Sequence, residues 1–294
     1  MNSKVEDTFS ECFKMWVARI LITAEDAELA LVAARSTVGY ATSIIMCSAE
    51  AAIETIVDAN TTPDKRPGVI IQIWTRRSSK MKDELLSRIS QCAMTTPTTS
   101  IFNALEEGEK SYSIGKLISY FGDGYQKQVS KFGKIMWEIP VMDGDFLIEE
   151  KFNITKGIAG GLFLLIGKNQ KETLAAARTA ITAIKKSEAK AITSFPSGIC
   201  RAGSKIGSEY TFLNESTNHK FCPTLKDKVK DSLLPEGGNC AYEIVINALS
   251  EAELKKAMKA VILAVKDDKN IVRITSSNYE GKLGPIQIPL KELV

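Results

Sequence analysis

Histidine is nearly missing from this chain: His219 is the only one in 294 residues. Zinc sites, Ser–His triads and Cys–His dyads all lean on imidazole, so each loses its usual partner and no metal site is expected. The six cysteines (Cys12, Cys47, Cys92, Cys200, Cys222 and Cys240) lie far apart and form no CxxC pair. In a chain long enough to be stable without staples they read as reduced, mostly buried thiols of a cytoplasmic protein. Charge of either sign is not in excess, with 38 Lys and Arg against 35 Asp and Glu. Nucleic acid and anionic membrane surfaces are therefore not expected partners, and any anion site must be local. No apolar stretch approaches the roughly 20 residues of a membrane span. The first thirty residues carry Glu6, Asp7 and Glu11 without a basic flank and an unbroken apolar run, so a secretory leader is not expected either. Low-complexity and Pro-rich or Gly/Ser-rich linkers are absent as well, which implies closely packed lobes in place of beads on a string.

What is there is an ordinary globular balance, 44% hydrophobic and 25% charged, in a length that suits two domains. Four short β-branched runs, Ala18–Ala24, Val69–Trp74, Leu162–Gly167 and Tyr242–Leu249, each precede a segment with apolar residues three and four apart. Those segments, Glu25–Gly39, Ser79–Met94, Gln170–Lys186 and Ser250–Lys266, read as helices, the last capped by the Ser250 hydroxyl. Between the halves, Lys116–Gln126 and Lys134–Phe152 are β-rich, and Asp123-Gly124 and Asp143-Gly144 look like hairpin turns. The pattern predicts an α+β protein of two α/β-sandwich lobes, each a mainly antiparallel sheet flanked by helices in ferredoxin-like units. The seam is placed near Asp143, giving an N-terminal lobe over 1–143 and a C-terminal lobe over 144–294.

Five segments could carry chemistry. Glu243 sits mid-strand among apolar neighbours, with Tyr242, Ile244 and Ile246 alternating onto the opposite face. It is either an outward-facing glutamate on a half-solvated strand or a partly desolvated carboxyl of raised pKa, fit for acid–base work. The hydroxyl cluster containing Thr96, Pro97, Thr98 and Ser100 precedes an apolar run. It reads as a turn with Thr99 or Ser100 capping a helix, whose first amides could also hold a carboxylate or an oxyanion. The glycines ending in Gly160 and Gly161 come before a strand, the reverse of a nucleotide fingerprint, and mark a bulge or a close approach to a neighbour or ligand. Phe195–Tyr210 and Ser277–Gly284 are aperiodic, glycine-rich and basic, as ordered functional loops are. Their Lys205 and Lys282, together with Arg66, could serve acidic ligand groups, although most surface lysines are simply solvated.

Read in order, the blocks Glu6–Phe13, Ala18–Ala24, Thr42–Cys47, Thr62–Gly68, Arg88–Ser100, Phe121–Gln126, Ile139–Phe146, Gly157–Gly161, Leu234–Leu249 and Gly281–Gly284 resemble the formylmethanofuran–tetrahydromethanopterin formyltransferases. The similarity covers essentially the whole chain. It implies two α/β lobes, homodimers or homotetramers, and a coenzyme cleft at or near a subunit interface. It also implies formyl transfer through a ternary complex in methanogenesis or one-carbon metabolism, with formylmethanofuran and tetrahydromethanopterin as substrates and no further cofactor. The family's catalytic glutamate falls on Glu243. This chain departs from the family pattern at Ser48–Ala52, at Ser197, at Arg201 and at Glu280, with Ala52, Ser197 and Glu280 standing where the family has glycine. Those departures keep a second reading open: a weakly active or non-catalytic paralogue serving as a pterin-binding or scaffold subunit of a formyltransferase/hydrolase complex.

Overall fold

The structure is a computed structural model that describes residues 4–282 and 284–294. Its contacts divide it into two compact units, Lys14–Gly157 and Met1–Phe13 with Ile158–Val294. The chain passes between them inside two long strands, β1 (Phe9–Thr23) and β9 (Phe152–Gly167). The contact division is not a single cut in sequence, because the stretch up to Gly157 pairs with strands of the first unit while Phe9–Cys12 pair with Ile286–Pro289 near the end of the chain.

In the Lys14–Gly157 unit, β1 is followed by α1 (Ala27–Thr37), β2 (Glu50–Val57), β3 (Gly68–Thr75), α2 (Ser78–Arg88) and β4 (Ser100–Asn103). The strands pair antiparallel in the order β2-β3-β1-β4, the ferredoxin-like arrangement of a βαββαβ chain. Alanine spacing on α1 lets Ala30, Ala33 and Ala34 lie flat on the sheet, and Met81 and Leu85 of α2 pack against Ile20, Ile22, Ile71 and Ile73 in the same core. Asp26 caps α1 by accepting from the Leu29 amide at 2.8 Å. Beyond β4 come β5 (Lys110–Tyr112), α3 (Ile114–Ser119), β6 (Lys127–Lys131), β7 (Lys134–Val141) and β8 (Gly144–Glu149). Strands β6, β7 and β8 form a meander, and β8 joins β4 in parallel.

The second unit repeats the scheme. Strand β9 leads through α4 (Gln170–Lys186) to β10 (Ala191–Ile192), then through β11 (Ser204–Ile206) and β12 (Glu215–Thr217) to β13 (Cys240–Ala248), α5 (Glu251–Val265), β14 (Ile271–Thr275) and β15 (Ile286–Pro289). The order β10-β13-β9-β14 is the same antiparallel permutation. Leu254, Met258, Val261 and Ile262 of α5 bury against Ile244 and Ile246 of β13, and burying each large side chain contributes about 2 kcal/mol. Ser250 caps α5 through the Glu253 amide at 3.2 Å. Unlike the first unit, this one inserts residues 193–239 between its second and third core strands. The insertion covers the sheet face away from the helices, where Phe221 and Leu234 meet Leu164 and Ile166.

Three local expectations change. The run after Thr99 is strand β4 and no helix is capped there: Ser100, Ile101 and Phe102 are all buried, and a short run buried on both faces looks the same in sequence whether helix or strand. Asp123-Gly124 ends a short helical turn, with Asp123 at φ 50°, and the β6–β7 hairpin turns instead on Phe132-Gly133, both at positive φ. Gly160 and Gly161 lie within β9, not before it. There, three steps along β9 oppose two along β13, a bulge with Gly160 at φ 91°.

Gly115 supplies a stability test. A Cβ there would lie 2.3 Å from the Glu149 carbonyl oxygen and 2.9 Å from Glu150 Cα, backbone that cannot yield cheaply. Gly115→Ala is expected to cost about 2 kcal/mol by overpacking. Thermal or urea unfolding checks it, and an unchanged midpoint would contradict the packing described.

Candidate active site

Glu243 lies on β13, opposite Leu164 of β9. Its other edge is paired as well: the Cys200 amide donates to the Glu243 carbonyl at 2.8 Å and the Glu243 amide to that of Cys200 at 2.9 Å. Alternation turns Tyr242, Ile244 and Ile246 into the helix-covered core and Glu243 toward the face covered by the insertion. The side chain is half-buried, next to Gly203, whose hypothetical Cβ would sit 3.5 Å from Glu243 Oε2. Burial alone pushes the Glu243 carboxyl up to about 7. Two neighbours feel it. Burial raises the Cys200 thiol, helped by the Glu243 charge, and raises the Tyr279 phenol in the same way. Cys200 is thereby kept protonated and is a poor nucleophile.

Polar loops are tied together around this carboxyl. Asn218 donates its amide to the Gly203 carbonyl at 2.9 Å and its side-chain Nδ2 to Ser277 Oγ at 3.0 Å. The Tyr279 hydroxyl donates to the Ser204 carbonyl at 3.2 Å. Both candidate lysines ride on these loops. Lys205 is half-buried on β11, whereas Lys282 is exposed and 3.0 Å from Glu280. Gly160 and Gly161 have protein neighbours in the places side chains would occupy. A Cβ on Gly160 would lie 3.1 Å from the Glu11 carbonyl oxygen, and one on Gly161 2.6 Å from Leu254 Cδ1. Sequence reasoning singles out both the 195–210 and 277–284 loops, but not that Cys200, Gly203 and Tyr279 within them meet Glu243, because that proximity depends on pairing across long separations.

Thr96, Pro97, Thr98 and Ser100 belong to the other unit. Thr96 and Pro97 line an open cleft of about 790 Å³ with Met94, Phe121, Pro140, Met142 and Asp143. Thr98, at φ 65°, is held in a left-handed turn: its amide donates to Asp143 Oδ2 at 2.8 Å and its hydroxyl accepts from the Glu25 amide at 3.0 Å. Ser100 faces inward, 2% exposed, and its hydroxyl accepts from Arg66 Nη2 at 2.6 Å. Arg66 also donates to the Thr98 carbonyl and to Asp64 Oδ2, so this guanidinium braces the turn instead of facing a ligand.

Among the described residues no three His, Cys, Asp or Glu side chains are grouped to hold a metal ion, and no helix is long and apolar enough to cross a membrane. His219 pairs with Asp231 at 3.0 Å.

A carboxyl poised between acid and base near neutral pH, on a rigid strand and ringed by ordered polar loops, is the equipment of an enzyme that works by acid–base chemistry. Comparison with known proteins narrows this. The family profile described as formylmethanofuran-tetrahydromethanopterin formyltransferase matches residues 1–141, and that of the family's proximal lobe matches residues 144–293. The formyltransferase of Methanosarcina acetivorans is 45% identical over 99% of this chain and 98% of its own, and that of Methanopyrus kandleri is 45% identical over the same shares. The solved formyltransferase of Methanosarcina barkeri superposes with a TM-score of 0.96 at 44% identity, covering 100% of both chains. A chain of the formyltransferase/hydrolase complex of Methylorubrum extorquens, solved with methylofuran, gives 0.93 at 38% identity, over 98% of this chain and 96% of that one. The chain belongs to the formylmethanofuran–tetrahydromethanopterin formyltransferase family.

Proposed function

We propose that this protein transfers the formyl group of formylmethanofuran to a nitrogen of tetrahydromethanopterin within a ternary complex, with Glu243 moving the proton. The pterin nitrogen attacks the formyl carbon, a new C–N bond forms, and the carbonyl oxygen takes up negative charge. Collapse of that tetrahedral intermediate breaks the bond to the methanofuran nitrogen. The proton lost by the pterin nitrogen passes to Glu243 and from there to the departing amine, so neither free acid nor base is consumed. The observation that carries this reading is the Glu243 carboxyl itself, raised by burial to about 7, where loading and unloading a proton cost little. Holding the two coenzymes together supplies the positional part of the rate enhancement. Lys205 and Lys282 suit acidic groups on the coenzymes, and Thr96, Pro97 and Thr98 suit contacts along the cleft that Thr96 and Pro97 line. No further cofactor takes part in this scheme, and the protein works in the cytoplasm as a homodimer or homotetramer.

The test is the purified chain alone with formylmethanofuran and tetrahydromethanopterin, followed by the change in pterin absorbance. Formyl transfer with turnover is expected. A folded chain that transfers nothing would place it with the non-catalytic subunits.

A further inference from the structure

Glu11 is a carboxylate that the transfer chemistry does not use, yet it is only 3% exposed. One of its oxygens, Oε1, accepts two backbone amides, that of Tyr279 at 2.8 Å and that of Gly281 at 2.5 Å. Between them Glu280 is at φ 59° and Gly281 at φ 82°. Backbone N–H groups brought together in a turn of this kind make an anion cradle. Here the protein's own carboxylate fills it. The same loop is tied a second time to the strand carrying Glu11, since Asn278 Nδ2 donates to Thr8 Oγ1 at 2.8 Å and to the Phe9 carbonyl. Farther along, the Tyr279 hydroxyl reaches Ser204, next to the Gly203 that borders Glu243.

We propose that Glu11 is a positioning residue for formyl transfer: by holding the Tyr279 and Gly281 amides on one oxygen it fixes the 277–281 loop as a wall beside Glu243. This rests on the reading of Glu243 given above. A burial role alone would need no polar acceptor, and a carboxylate without partners at this depth would be costly. The left-handed Glu280 is also conformationally strained, so the loop keeps this shape only while its amides are held.

Glu11→Ala removes the acceptor, whereas Glu11→Gln keeps an Oε1 in the same place and removes only the charge. Glu11→Ala is expected to lower kcat about ten- to a hundredfold, the scale of a small misplacement near the reacting atoms, with KM changed less than about threefold. Glu11→Gln should recover kcat to within about threefold of wild type. Hydrogen exchange supplies a readout that does not depend on activity: in Glu11→Ala the amides of residues 277–281 should exchange at least about tenfold faster while those of β13 and α5 keep their protection. Unchanged kcat and exchange in a folded Glu11→Ala would overturn the proposal, as would equal impairment of the Ala and Gln variants. If Glu11→Ala does not fold, Asn278→Ala takes its place, and a kcat equal to wild type in that variant overturns it too. A wild-type protein without formyl transfer would instead sink the proposed function, leaving the exchange result to decide on Glu11.

Discussion

Glu243→Gln is expected to lower kcat for formyl transfer at least about a hundredfold, the scale on which a lost general acid–base group is felt, while the fold survives. The substitution keeps the shape of the side chain and removes the titrating proton. The variant should also change how stability depends on pH. In the folded protein the carboxyl is raised to about 7 from an ordinary value near 4.5, so it costs nothing below about 4.5, where it is protonated in both folded and unfolded states. As pH rises from about 4.5 to about 7 the unfolded chain ionises while the folded state keeps its proton, so wild type loses stability across that window, and above it the folded state holds a desolvated charge. A tenfold change in a protonation equilibrium is worth about 1.4 kcal/mol, so the rise from 4.5 to about 7 corresponds to a loss of about 3 kcal/mol. Gln carries no charge, so the variant should match wild type near pH 4 and exceed its stability near pH 8. A glutamate that merely faced solvent would produce neither effect. Kinetics and urea unfolding of both proteins at the two pH values separate the cases.

A comparable effect on stability is expected from Arg66→Ala. Asp64 is 4% exposed on its side chain and is held by Arg66, 2.8 Å away, and by the Thr23 hydroxyl at 2.6 Å. Removing the guanidinium leaves a nearly buried carboxylate without its counter-charge, and the Thr98 carbonyl and Ser100 hydroxyl without their donor. The expected cost is about 3 kcal/mol, read as a lowered unfolding midpoint. Because the left-handed Thr98 depends on the same brace, KM for a coenzyme should rise with the loss of the turn that presents Thr96 and Pro97. Arg66→Ala combined with Asp64→Asn should recover part of the stability, since the two sites share one interaction. An Arg66→Ala protein that melts like wild type would show that the network holds nothing.

The four strand–helix pairs are legible in the sequence because each joins a β-branched run to a 3.6-residue apolar period, and two such pairs with intervening strands make a ferredoxin-like unit twice over. The alternation around Glu243 is legible for the same reason: a two-residue period fixes which neighbours share its face. What covers that face is not. Cys200 and Gly203 arrive through an insertion about forty residues away in sequence, and Tyr279 through the loop between β14 and β15, so the desolvation that raises the carboxyl is a product of tertiary pairing. The hydroxyl cluster at Thr96–Ser100 misleads in one respect. A helix cap and a turn entering a fully buried strand use the same residues, and only the burial of Ile101 and Phe102 against both neighbours decides for the strand. Arg66 looks in sequence like a cation available to a ligand, yet it is occupied by Asp64, Thr98 and Ser100, and nothing in the sequence pairs Glu11 with the 279–281 amides. Ionic groups reveal their roles only through partners distant in the chain.

The most direct measurement is the titration of the Glu243 carboxyl itself, by infrared difference spectra between wild type and Glu243→Gln across pH 3 to 9. A protonated-carboxyl band lost with a midpoint near 7, and absent from the variant, is the predicted result. A midpoint near the ordinary 4.5 would contradict it, because a fully ionised glutamate at neutral pH could accept the pterin proton but would not readily hand it on to the departing amine.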